Sequence, residues 1–143
     1  MLDLPRRPPT PFMSKLKEAL PSRHLGQDVT ITRWGEVGTP VLFFPTAAAD
    51  AEEVERFLMV QALAGLLGAG KIKLYSVDSV AGQALLAGKS ASDVGRAQTQ
   101  YDRFVYEELV PAIRRDCRAP GLEIVVAGPS IGAPVVAISS WWR

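Results

Sequence analysis

Cysteine and histidine are almost missing from this chain of 143 residues, each occurring once, as Cys117 and His24. A lone thiol excludes an internal disulfide framework and fits a reducing, cytoplasmic setting. The lone histidine sits beside polar Ser22 and Arg23 and reads as a loop residue. Charge of one sign is lacking too: 16 basic against 15 acidic residues leave +1. No global field then draws the chain to nucleic acid or to an anionic membrane. No apolar run reaches the roughly 20 residues of a membrane span. Pro5, Pro8, Pro9 and Pro11 stand where a signal peptide needs its apolar core, and no such core follows Arg6-Arg7. Recognition must come from a local site, and a small molecule is the expected partner, without cofactor or metal.

What is present is 48% hydrophobic and 22% charged residues, enough for one globular core. Residues 1–26 read as a proline-rich arm and 27–143 as the folded domain. Within the arm, Ser14 to Leu20 is expected to form a helical turn or two that Pro21 stops. The alternation of Val29 and Ile31 in Asp28 to Trp34 marks a half-buried edge strand. Val41-Leu42-Phe43-Phe44 is apolar without alternation, as in a central strand covered on both faces, and Pro45 ends it. Asp50 and Glu53 have capping-box spacing, and Val54, Phe57, Leu58, Leu63, Leu66 and Leu67 form a helical stripe up to Gly68. Lys71 to Val77 is a further strand. A long helix opening at Ser92-Asp93 carries Tyr101, Phe104, Val105, Leu109 and Ile113 and kinks at Pro111. Leu122 to Ala127 reads as a third buried strand. Strands alternating with helices predict an α/β fold, with a mostly parallel sheet and helices on both faces.

The pattern that carries chemistry is Gly128-Pro129-Ser130-Ile131-Gly132. A serine hydroxyl is a poor nucleophile unless it stands clear of its neighbours beside a base and oxyanion donors. A strand that stops and turns sharply into a helix presents Ser130 in this way, provided that the residues two before and two after are small. Gly128 and Gly132 meet that need. The helix start makes the Ile131 N–H an oxyanion donor, and the turn after the Val41 to Phe44 strand, at Ala47, would supply the second. A plainer reading leaves Ser130 as a helix cap between two turn glycines.

Five segments in order extend the pattern: Val29 to Gly35, Gly38 to Thr46, Leu74 to Ser79, Tyr106 to Pro111 and Ala127 to Ala133. Over roughly residues 25 to 137 the chain resembles the esterase family of the α/β-hydrolase fold that includes the esterase D-like enzymes. The resemblance implies Ser130 as nucleophile, Ile131 N–H and the turn after Thr46 as oxyanion donors, and carboxylic esters as substrates. Two departures stand out. Ala47-Ala48-Ala49 occupies a loop where such enzymes carry glycine. The family's acid and histidine follow the serine, whereas only thirteen residues do so here. The expectation is an α/β-hydrolase-type domain truncated after the nucleophile elbow, lacking the acid and histidine of its triad and weakly active or inactive. It would self-associate through an exposed sheet edge. Asp78 is expected to cap a turn, Glu107 and Glu108 to form a solvated helix face, and Cys117 to pack. The alternatives are a non-catalytic α/β binding module, an acyltransferase of the same fold, and an oligomer in which another chain supplies the base.

Overall fold

The computed structural model describes residues 14–46 and 49–128. Five strands form one sheet: β1 (Lys15–Ser22), β2 (Gln27–Trp34), β3 (Thr39–Phe43), β4 (Ile72–Val77) and β5 (Val125–Ala127). Their spatial order is β1-β2-β4-β3-β5. The sheet is mixed: β1–β2 and β2–β4 are antiparallel, while β4–β3 and β3–β5 are parallel. The parallel half is the part whose strands alternate with helices, as the sequence pattern requires.

Alternating side chains split the core between the two faces. On one face Val29, Leu42, Phe44, Tyr75 and Val77 pack against Tyr101, Phe104, Leu109 and Ile113. These four come from α5 (Ala91–Phe104), the π-helical segment Val105–Leu109 and α6 (Val110–Asp116), with α4 (Val80–Leu86) beside them. On the other face Trp34 and Leu74 pack against Val54, Val60 and Leu67. Those belong to three short helices, α1 (Glu53–Arg56), α2 (Met59–Ala62) and α3 (Ala64–Gly68).

Four local expectations are corrected. Ser14 to Leu20 does not form helical turns: β1 is an edge strand whose Pro21 lies opposite Asp28, a place where proline's missing N–H removes little pairing. Exposed Lys15, Lys17 and Glu18 protect that edge, and β2 is consequently an inner strand. The sheet therefore starts inside the span assigned to the arm, of which residues 1–13 lie outside the described residues. The single helix over residues 50–68 is three pieces, broken at Leu58, which takes a left-handed φ of 63°, and again at Leu63, whose φ of −91° and ψ of 2° leave the helical range. Leu122 to Ala127 is not a buried strand throughout: only Val125–Ala127 is strand, at the end of the sheet among the described residues, with Val125 52% exposed. Finally, Glu107 and Glu108 are not simply solvated. Glu108 accepts from Ser22 Oγ (2.5 Å) and Arg23 N (2.8 Å), pinning the β1–β2 turn to the helix layer. Burial works against the Glu108 carboxylate, but these hydrogen bonds prevail and lower its pKa.

Just before Pro111, where a kink was expected, the long helix widens into a π-helical turn. Proline has no N–H to donate, and its ring crowds the carbonyl four residues back. Gly38 shows a harder constraint. Its φ is +123°, and a Cβ there would lie 2.5 Å from the Lys71 carbonyl carbon, so only glycine lets the β3 entry pass beside β4.

Leu58 offers a stability test. Its side chain is 63% exposed, so little packing repays a left-handed backbone that costs an L-residue about 1–2 kcal/mol. Leu58→Gly is expected to raise stability by about 0.5–1 kcal/mol after the entropy cost of glycine. A urea midpoint unchanged or lowered relative to the parent would contradict this.

Candidate functional site at the carboxyl end of the parallel strands

β3 and β5 run side by side, with Val41, Leu42 and Phe43 opposite Val125, Val126 and Ala127. One further backbone bond, Phe44 N–H to Ala127 O at 2.9 Å, carries the pairing to the strand ends. Gly128 follows at once. A Cβ placed on it would sit 2.8 Å from Phe44 O and 3.4 Å from Phe44 Cβ. The chain can therefore leave β5 in contact with β3 only if residue 128 has no side chain, the requirement read from the elbow pattern. Ser130, Ile131, Gly132 and Ala47 lie outside the described residues.

A cleft of about 350 Å³ opens at this end of the sheet, where ligands bind in open α/β sheets. Phe43, Val54, Phe57 and Met59 form its apolar wall, and Gly128 and Thr46 lie on its margin with Glu53. Phe57 and Met59 are exposed, so the apolar surface continues outward from the cleft.

Glu53 is the residue that sequence reasoning misread. Expected to close a capping box with Asp50, it is only 7% exposed and sends its carboxylate to the turn after β3. One oxygen accepts the Thr46 N–H at 2.8 Å, and the other accepts the Thr46 hydroxyl. Asp50 instead accepts from Glu52 N and from Arg56, whose guanidinium holds the Asp50 carboxyl below its ordinary range. Thr46 O accepts from Ala49 N at 3.0 Å, closing the turn.

Asp78, at the carboxyl end of β4, caps more than its own turn. Its carboxylate accepts Thr30 N (3.2 Å) and Ala51 N (2.9 Å), and its carbonyl accepts the buried Tyr101 hydroxyl (2.9 Å). Burial pushes the Tyr101 phenol up, keeping it a donor. His24 is not at the cleft. It lines a groove between the β1–β2 turn and α4–α5, with Nε2 2.6 Å from Glu107 Oε2. Cys117 is half-buried, with its sulfur 3.4 Å from the Tyr75 hydroxyl. Among the described residues there is no group of three or more His, Cys, Asp or Glu side chains able to hold a metal ion. No helix among them is long and apolar enough to cross a membrane.

No protein-family model and no curated protein sequence matches the chain. Solved structures do. A ferulic acid esterase superposes with a TM-score of 0.54 at 17% identity, over 81% of this chain and 48% of its own. An esterase from Pyrobaculum calidifontis gives 0.54 at 16% identity, over 90% of this chain and 39% of its own. A ferulic acid esterase from Anaeromyces mucronatus, solved with ferulic acid, gives 0.57 at 12% identity, over 85% and 50%. The fold is that of the α/β hydrolases. At these identities the likeness speaks for the fold alone, and the chain spans half or less of each of these structures.

Proposed function

We propose that this chain carries the nucleophile of a serine hydrolase acting on carboxylic esters, of the esterase family that includes the esterase D-like enzymes. Ser130 attacks the ester carbonyl, with the Ile131 and Ala47 N–H groups stabilising the oxyanion. The observation that carries the reading is Gly128: it ends the strand beside β3, and a Cβ there would strike Phe44 O at 2.8 Å. Its place on the margin of an apolar cleft at the carboxyl end of β3 and β5 adds support. The polar groups of Thr46, at the start of the turn after β3, are engaged by Glu53 and Ala49.

The only histidine in the sequence is His24, paired with Glu107 outside the cleft. Ser130 is then a nucleophile placed without an imidazole base from this chain, and hydrolysis by the chain alone rests on the oxyanion site and binding, a residual effect of about 10³–10⁴ over water. The same position of His24 favours a second reading, a non-catalytic α/β module binding an apolar ligand in the cleft. β5, the last strand of the sheet among the described residues, is where copies of the chain would pair.

Incubation with a fluorophosphonate probe separates the two readings. The parent chain is expected to be labelled at Ser130 and Ser130→Ala to remain unlabelled, as read by mass spectrometry of peptides. Equal labelling of both would remove Ser130 from the mechanism.

A further inference from the structure

We propose that the arginines at the end of α6 form a second binding site, one that takes the phosphate group of a small soluble phosphomonoester. The site lies before β5, whereas Gly128 follows that strand, so it stands apart from the ester-hydrolase reading.

Arg114, Arg115 and Arg118 line a cleft of about 580 Å³, with Pro111, Ala119 and Pro120 as the rest of its wall. None of these residues is acidic, and the volume is that of a small-molecule site. Arg114 is held in place, its Nε–H donating to Leu122 O at 3.1 Å. Arg115 and Arg118 are exposed and have no carboxylate partner among the described residues. A guanidinium presents a planar fork of donors that matches two phosphate oxygens at once. Three of them around one cleft suit a dianion, and the proline and alanine wall suits an apolar group on its ester oxygen.

Arg118 is kept there at a cost. α6 closes with Arg118 N–H on Arg115 O and Ala119 N–H on Arg114 O, both at 3.0 Å, and Arg118 takes a left-handed φ of 54°. Glycine is the usual residue at this point of such a closure, because it adopts that φ without steric penalty. The negative end of a helix accounts for basic residues in the last turn, here Arg114 and Arg115. It gives no reason for a third at the one position that favours glycine. Spacings of three and four residues also set Arg118 near Arg115 and Arg114, where like charges repel. An anion between them removes that repulsion, and a residue held in a disfavoured backbone region is a mark of functional sites.

Chemical-shift titration of the full chain with phenyl phosphate at low ionic strength tests the site. Saturable shifts are expected in residues 111–122. Arg118→Gly should raise the urea midpoint, by relieving the backbone, and weaken phenyl phosphate binding about 10-fold. A merely structural arginine would show the first change without the second. Arg115→Gln should weaken binding by a similar factor with the urea midpoint close to the parent's, and it keeps the test open should Arg118→Gly disturb the turn. No saturable shift up to about 10 mM phenyl phosphate, or parental affinity in both variants, overturns the proposal. Co-sedimentation with phosphatidylcholine vesicles carrying phosphatidic acid, while phenyl phosphate stays silent, overturns the soluble ligand in favour of a membrane headgroup.

Discussion

Gly128→Val is expected to lower the rate of Ser130 labelling by about 100-fold and to cost about 2–4 kcal/mol of stability. The atom in the way is backbone. A Cβ at residue 128 would lie 2.8 Å from Phe44 O and 3.4 Å from Phe44 Cβ, so no side-chain rotation relieves the contact. Either β5 moves away from β3, breaking the Phe44 N to Ala127 O bond of 2.9 Å, or the chain beyond Ala127 takes another course. Both displace residue 130, two positions further along, and a shift of about 1 Å at a reacting group costs about 10²-fold. Gly128→Ala should show the same effects at smaller size. Gly121→Val is the control, since a Cβ at Gly121 meets nothing within 4 Å. A Gly128→Val chain with parental urea midpoint and parental labelling rate would show that β5 does not need this close approach.

Asp116→Ala should produce the largest loss of stability away from the cleft, about 2–3 kcal/mol by urea unfolding near neutral pH. Asp116, at the end of α6, meets Lys73 Nζ at 2.9 Å and Arg33 Nη1 at 2.9 Å and also accepts the Tyr75 hydroxyl. The Lys73 side chain is only 6% exposed. Removing the carboxylate strands a buried ammonium beside a guanidinium, which is what makes breaking such a cluster expensive. Asp116 itself is 36% exposed, so the lower end of the range for buried pairs applies. Adding Lys73→Met to Asp116→Ala should recover more than half of the loss, because the stranded charge goes with it.

The pH dependence has a definite sign. Burial works to raise the pKa of Asp116, but hydrogen bonds from Tyr75, Lys73 and Arg33 outweigh it and hold the group down at about 2, against an ordinary 3.8. A depressed carboxylate contributes stability that is complete above the unfolded value of 3.8 and disappears as pH falls through about 2. The gap between parent and Asp116→Asn should thus be constant from neutral pH to about 5 and narrow between about 4 and 2. A gap that widens on acidification would mean that the carboxylate is not the stabilising partner.

The central strands and the long helix were legible because their signals are local and redundant. Leu42 and Phe44 belong to an apolar run that needs cover on both faces, and Tyr101, Phe104, Leu109 and Ile113 recur at helical spacing and are all buried. That residue 128 has no room for a side chain agrees with the small residue the pattern requires there, while the rest of the expected elbow lies outside the described residues. β1 was not: Lys15 to Ser22 carries charges and a proline, which composition cannot distinguish from a solvated arm, and only pairing with β2 makes it a strand. The break at Leu58 was hidden because one helix and three helical pieces share the same apolar stripe. Glu53 was misread for a related reason. A glutamate three residues after an aspartate has capping-box spacing whether or not it reaches back, and here Thr46 competes successfully for its carboxylate.

Asp78 bears on how the cleft margin moves. Its carboxylate spans from Thr30 on β2 to Ala51 before α1, while its carbonyl receives Tyr101 from α5. Segments that share a half-buried acceptor do not exchange their amides independently. The Ala51 N–H and the Thr30 N–H should become available to solvent in one cooperative opening, with a free energy close to that of the whole sheet. Ala51, next to the cleft, should thereby exchange with the sheet and not as a separate local unit.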